Sequence, residues 1–237
     1  MKGVPAPTIS KPGKILNHQF IIMAKSITPK GKQKKRNFSS FKNDDAFREL
    51  NLENLIPWSI DTEPLTPSTF FKERLDRLQD SFDLSSYEES KKLLIDAICE
   101  EAIHTFKKLK IWKGAPLNSD RLTGYVDYLI AAHKRYIDKP MLCIIEAKKD
   151  DFEQGLAQCL VEMKACQWMN LQQNQSVDVL GIVSNGSTWQ FYKLACNGDV
   201  FESSTYSTGD MNLLLGRLRY IFQICDDNLA MISKISN

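Results

Sequence analysis

Residues 141–148 read MLCIIEAK, five apolar residues followed by Glu, Ala and Lys. A continuous apolar run is typical of a central strand that is covered on both faces of a sheet. Because side chains alternate along a strand, Glu146 and Lys148 are predicted to point the same way, roughly 7 Å apart. A charged pair at the end of a buried strand interrupts the core pattern, and such interruptions tend to mark functional sites.

Periodic apolar segments and turn signals flank this strand on both sides. A capping box over residues 86–89 predicts the start of a long helix, and Asn185-Gly186 predicts a hairpin turn. The order is α-β-β-β-α-β-β-α, which predicts an α/β domain over residues 86–237 with helices flanking one central mixed sheet. The predicted elements are a helix at 86–109, strands at 110–113, 124–131 and 141–145, a helix capped by Asp150, strands at 177–184 and 188–194, and a helix from Asp210.

Charge is distributed unevenly along the 237 residues, of which 43% are apolar and 25% charged. Residues 1–43 carry ten Lys or Arg and no Asp or Glu, so residues 44–237 have a net charge of −8. The first segment is therefore predicted to be a basic, disordered tail that could attract polyanions. Residues 44–85 are predicted to form an irregular lead-in with short helices.

Six cysteines lie mostly inside apolar segments, and none forms a CxxC pair. They are interpreted as reduced core residues rather than as disulfides or zinc ligands. No window approaches the ~18 apolar residues of a membrane span, and no signal peptide is recognised. The sequence therefore predicts a cytoplasmic protein without a membrane partner.

Asp127 lies in the strand that precedes the MLCIIEAK run. A hairpin centred near residues 135–136 would place Asp127 opposite residue 144 or so, which makes it a diagonal neighbour of Glu146. Two carboxylates and the Lys148 ammonium would then share one surface at the end of the sheet. The alternative is that Glu146 and Lys148 only pair with each other while Asp127 caps a turn.

Two close carboxylates repel each other, and a divalent cation removes that conflict. Carboxylate and water oxygens are ligands that Mg²⁺ accepts. Such a cation lowers the pKa of a bound water, and a nearby ammonium can orient that water and stabilise the transition state. The combination suits metal-assisted hydrolysis of a phosphodiester.

The spacing of Asp127, then 18 residues, then Glu146-Ala147-Lys148 resembles the PD-(D/E)XK nuclease superfamily. Residues 86–195 carry the resemblance, and the branch that looks most similar is the N-terminal nuclease domain of type I restriction enzyme motor subunits. Val126 occupies the position of the Pro in the superfamily's name. The resemblance implies a restriction-endonuclease-like core of αβββαβ order.

The resemblance also implies a role for each matching residue at the end of the strand. Asp127 and Glu146, with the backbone carbonyl of Ala147, would hold Mg²⁺, for which Mn²⁺ could substitute. Lys148 would position the attacking water.

Two further catalytic positions are implied on the flanking helices. Glu101, with Glu100 as its rival, would supply a carboxylate from the first helix. Gln158, ten residues beyond Lys148, would bind the scissile strand or support the Lys. Glu162 stands four residues later, where a Tyr is frequent in that branch.

The resulting function prediction is a magnesium-dependent hydrolase that cleaves nucleic acid, with a DNA endonuclease preferred. A catalytically inactive nuclease-like module that binds nucleic acid or a partner protein is the alternative. The sequence contains no GxxxxGK[ST] motif, so no motor activity is expected. DNA versus RNA, the target, the number of metals and a homodimeric state stay open.

Overall fold

A mixed sheet of nine strands, flanked by five helices, forms the centre of the computed structural model, which describes residues 34–148 and 150–235. The helices are α1 (Asn43–Leu50), α2 (Thr69–Ser81), α3 (Glu88–Ile103), α4 (Phe152–Leu171) and α5 (Met211–Ile235). The strands are β1 (Arg36–Asn37), β2 (Ile56–Trp58), β3 (Leu109–Asn118), β4 (Leu122–Ala132), β5 (Met141–Ala147), β6 (Val179–Ser184), β7 (Thr188–Leu194), β8 (Val200–Ser203) and β9 (Tyr206–Ser207).

β5 is the central strand predicted from the MLCIIEAK run, and all seven of its residues are buried. It lies between β4, which is antiparallel to it, and β6, which is parallel. The order across the sheet is β1-β4-β5-β6-β7-β8-β2, with β3 paired to β4 and β9 paired to β7. The predicted α/β architecture, a mixed central sheet flanked by helices, is confirmed.

Two apolar layers cover the faces of the sheet. Residues of α3 and α5 pack on one face together with Ile145 and Ala147 of β5, and α4 packs on the other with Ile144. Alternation along β5 therefore turns Glu146 toward α4. Truncation of a fully buried side chain such as Ile144 to Ala would destabilise the fold by about 2–5 kcal/mol.

The first long helix is shorter than the predicted 86–109. α3 begins at Glu88, and its N-cap, Tyr87, makes no side-chain capping bond. The Ser86 amide is instead bonded to the Asp83 carboxylate, so the predicted capping box does not form. The helix ends at Ile103 because Leu109 already pairs with Ala132 in the sheet.

The ends of the other helices and strands differ from the predicted ends by one residue to a few residues. α4 is capped by Asp151, whose carboxylate accepts from the Gln154 amide at 2.9 Å, rather than by Asp150. The short strands β1, β2, β8 and β9 were not predicted. β2 contains Pro57, which lacks a backbone donor, and lies at an edge of the sheet where such a residue is tolerated.

The predicted tail and lead-in are only partly described. Residues 1–33 lie outside the described part of the chain. The expectation of disorder does not hold for residues 34–43, because Phe38 and Phe41 are buried in the core and the Arg36 guanidinium lies 3.7 Å from the Phe41 ring centre. The lead-in, residues 44–85, supplies most of α1, all of α2 and the sheet strand β2.

The six cysteines are free thiols, and five of them are buried. Among the described helices, none is long and apolar enough to cross a membrane.

Candidate active site

The β4–β5 pairing brings Asp127 closer to Glu146 than the sequence predicts. Tyr128 pairs with Ile145, and a register shift between Ile130 and Ala131 moves β4 along β5. Continuing this register places Asp127 opposite Glu146 rather than opposite residue 144. The Ala147 amide donates to Asp127 Oδ2 at 2.9 Å, which fixes the carboxylate at the end of β5.

Glu146 is a buried carboxylate that contacts the ammonium group of Lys148. It is 1% exposed, and its Oε1 lies 2.7 Å from Lys148 Nζ. Its Oε2 has no hydrogen-bond partner in residues 34–148 and 150–235. Burial, and then the negative charge of Asp127, raise the pKa of Glu146 to about 7 despite the attraction of Lys148. An unbonded, partly protonated acceptor of this kind is costly for a fold and suits a site that receives a ligand.

Lys148 is held from two sides. Its ammonium contacts Glu146 and donates to Gln158 Oε1 at 3.2 Å, and its backbone amide donates to Ser184 O at 2.9 Å. Burial alone would lower the pKa of Lys148, but the charge and hydrogen bond of Glu146 together with the charges of Glu88 and Asp127 outweigh burial, so the pKa is raised. Lys148 is therefore a cation, positioned by β5, β6 and α4.

Glu162 extends this network into the core and was not assigned a role from the sequence. Gln158 Nε2 donates to Glu162 Oε1 at 3.0 Å, and Glu162 is fully buried. Burial, and then the charge of Glu146, raise the pKa of Glu162 well above its ordinary value. The available signal was a Glu inside an apolar helix, four residues after Gln158.

Lys92 on α3 is the second residue that sequence analysis missed. Its Nζ lies 2.9 Å from Asp127 Oδ1 and 2.7 Å from Glu89 Oε1. Burial alone would lower the pKa of Lys92, but the hydrogen bonds with Glu89 and Asp127 outweigh it, and the pKa is raised. The charge pattern Glu-Glu-x-x-Lys at residues 88–92 is typical of an ordinary solvated helix start, so Lys92 could not be singled out from the sequence.

Glu101 does not join the cluster. Its carboxylate accepts from the Ser68 amide at 2.7 Å and from Ser68 Oγ at 2.9 Å, which ties α3 to the start of α2. Lys92, which does contact Asp127, lies nine residues earlier on α3, about 13 Å along the helix axis. The rival, Glu100, is paired with Arg74. The structure thus places Glu101 away from the position that the resemblance implies, in a contact that joins two helices.

The fit of the site to a divalent cation rests on its oxygen donors. Glu146 Oε2 is a free acceptor beside Asp127, and hard oxygen ligands are those that Mg²⁺ prefers. Both Asp127 oxygens are already engaged, one by Lys92 and one by the Ala147 amide. No cluster of three or more His, Cys, Asp or Glu side chains suited to a metal occurs in the described residues. A cation would thus be held by two carboxylates and the backbone, and it would compete with Lys92.

The described part of the chain is an α/β protein in which two carboxylates and two ammonium groups meet at the end of a buried strand. The chain matches no protein-family model and no curated protein. The resemblance to PD-(D/E)XK nucleases stays a prediction.

Proposed function

We propose that this protein is a magnesium-dependent nuclease with a restriction-endonuclease-like core that hydrolyses phosphodiester bonds in DNA. The supporting observation is the meeting of Asp127, Glu146 and Lys148 at the end of β5. Three residues that were selected from the sequence pattern are neighbours in space, and one of them is a buried carboxylate with an oxygen that has no hydrogen-bond partner among the described residues.

Asp127, Glu146 and the carbonyl of Ala147 are the residues that would hold the cation. When bound, Mg²⁺ supplies a water of lowered pKa and neutralises negative charge on the phosphate. Glu146 must be ionised to act as a ligand, so its raised pKa of about 7 predicts weaker binding below neutral pH.

Lys148 would orient the attacking water and stabilise negative charge on the phosphate. Gln158 accepts from the ammonium at 3.2 Å, so Lys148 keeps one anchor if Glu146 turns to a ligand. Glu162 fixes the orientation of the Gln158 side-chain amide. Glu162 Oε1 accepts a hydrogen bond from Gln158 Nε2, so Gln158 Oε1 faces Lys148.

Cleavage of supercoiled plasmid, single-stranded DNA and RNA, with Mg²⁺, Mn²⁺ or a chelator, tests the proposal. We expect metal-dependent cleavage of DNA that falls at least about 100-fold in Lys148→Ala. Lys164→Ala is the matched control, since Lys164 lies on α4 and its ammonium donates to Gln167 Oε1 at 3.1 Å. Cleavage that survives Lys148→Ala, or that ignores the chelator, would refute the proposed site, and cleavage of RNA alone would refute the proposed substrate.

One observation favours the second candidate, an inactive module that binds nucleic acid. Lys92 and Lys148 together already supply two positive charges to the two carboxylates. A site neutralised in this way is stable without a metal. Under this alternative the chain binds DNA equally well with and without Mg²⁺ and cleaves no substrate under any metal condition.

We also propose a cytoplasmic location and no membrane partner. All six cysteines are free, and the five buried thiols have no access to oxidants, whereas Cys196 is exposed. A reducing compartment suits such a chain. Intermolecular disulfides that form in air are expected to involve the exposed Cys196, and a Cys196→Ser variant would remove them.

A further inference from the structure

A lysine-rich cleft lies at the opposite end of β5 from the candidate active site. It has a volume of about 890 Å³ and is lined by three separate chain segments and by residues that follow α4. Met141, the first residue of β5, adjoins the cleft through Pro140 and lies five residues from Glu146, about 16 Å along the strand. The cleft is therefore distinct from the site built by Asp127, Glu146 and Lys148.

Positive charge in the cleft is concentrated and poorly neutralised. Asp138 is the single carboxylate among its lining residues, and it pairs with Lys134 at 2.6 Å. The ammonium groups of Lys108, Lys139 and Lys234 have no carboxylate within ion-pair distance in the described part of the chain. The five lining lysines are Lys107, Lys108, Lys134, Lys139 and Lys234.

This arrangement contrasts with the rest of the body. Residues 34–237 contain 25 of the 31 Lys and Arg and all 29 Asp and Glu, a net charge of −4. Carboxylates are in excess, yet the turn after α3, the β4–β5 connection and the end of α5 bring five lysines together with a single carboxylate, Asp138, among the lining residues. Mutual repulsion of these ammonium groups is relieved when a polyanion enters the cleft.

We propose that this cleft binds the phosphate backbone of DNA as a contact separate from the active site. The inference rests on the proposed function for the choice of ligand. Lysines are flexible point charges that suit phosphate contacts without base recognition, and Gln173 and Gln175 add side-chain amides of the kind that bond phosphate oxygens. The cleft thus positions DNA independently of its sequence.

Binding of a labelled DNA duplex to the full chain, measured by fluorescence anisotropy in chelator over a series of salt concentrations, tests the inference. The cleft variant carries Lys108→Gln, Lys139→Gln and Lys234→Gln. The control variant removes the same charge from exposed positions outside the cleft, with Lys72→Gln, Arg77→Gln and Arg219→Gln. The basic residues 1–33 are present in all three proteins, so their contribution cancels.

We expect the cleft variant to bind DNA at least tenfold more weakly at low salt. The slope of log affinity against log salt should flatten by about 2–3, because each phosphate contact contributes about 0.9. Equal losses in both variants would show a dependence on total charge only and would overturn the inference, as would unchanged binding in the cleft variant. A loss of binding to anionic lipid vesicles without a loss of DNA binding would assign the cleft to membranes and also overturn it. Because no cleavage occurs in chelator, the result does not depend on the nuclease being active.

Discussion

Replacing Glu146 with Gln tests the buried carboxylate pair through folding stability alone. Gln keeps the shape of the side chain and resembles the protonated carboxyl, but it carries no ionisable group. Burial beside Asp127 raises the pKa of Glu146 from 4.5 to about 7. The native state therefore keeps this proton over a pH range in which the unfolded chain has released it, and the wild-type protein loses stability as pH rises from about 4.5 to about 7.

The size of the effect follows from the two pKa values. Ionisation of Glu146 lowers the free energy of unfolding by about 1 kcal/mol at pH 5 and by about 3 kcal/mol at pH 8. The free energy of unfolding of Glu146→Gln, relative to that of the wild type, should therefore rise by about 2–3 kcal/mol from pH 5 to pH 8. Titrating groups distant from Glu146 are common to both proteins and cancel in this comparison.

Urea unfolding at pH 5 and pH 8, followed by circular dichroism, measures the difference. Glu53→Gln, at an exposed position, is the control and should show no such change. A stability difference between Glu146→Gln and wild type that is the same at both pH values would refute the account of Glu146 as a buried, destabilised carboxylate.

Four further substitutions, at three positions, separate the roles of neighbouring residues. Glu101→Gln should leave cleavage within about twofold of wild type while lowering stability by about 1 kcal/mol through its bonds to Ser68, as urea unfolding would show; a large loss of cleavage would restore its catalytic role. Glu162→Gln should retain cleavage and Glu162→Leu should reduce it at least about tenfold, because only a Gln can accept a hydrogen bond from Gln158. Equal cleavage rates for the two variants would contradict the positioning role of Glu162. Lys92→Met should tighten Mg²⁺ binding about fivefold in calorimetry, since it removes a competing charge worth about 1 kcal/mol; weaker binding would mean that Lys92 supports the site rather than competes for it.

The central strand and the chemistry at its end could be predicted because the sequence marks both directly. A continuous apolar run specifies burial on both faces, and the following Glu146 and Lys148 break it at one point. The pairing of β4 could not be predicted to the residue. The connection between Ala132 and Met141 is long enough to allow several registers, and the shift at Ile130 is a local distortion with no sequence signature.

The site residues that the helices supply were harder to predict, because many residues of a helix have similar spacing. The resemblance implies a catalytic Glu101 on the first helix, but the sequence does not tell which end of α3 approaches the sheet edge. In the structure Lys92, near the other end, makes the contact with Asp127. Glu162 was recognised only as a departure from a family pattern. The role of Glu162 depends on how closely α4 packs against the sheet. That packing is determined by the tertiary structure rather than by the local sequence.

The claim that Asp127 and Glu146 form one cation site is tested most directly by titrating Mg²⁺ into the full chain at pH 8 in a calorimeter. The account predicts saturable binding in the wild-type protein that is lost in Asp127→Asn and in Glu146→Gln, with each variant still folded by circular dichroism. Absence of binding at millimolar Mg²⁺, or binding that persists unchanged in both variants, would contradict it.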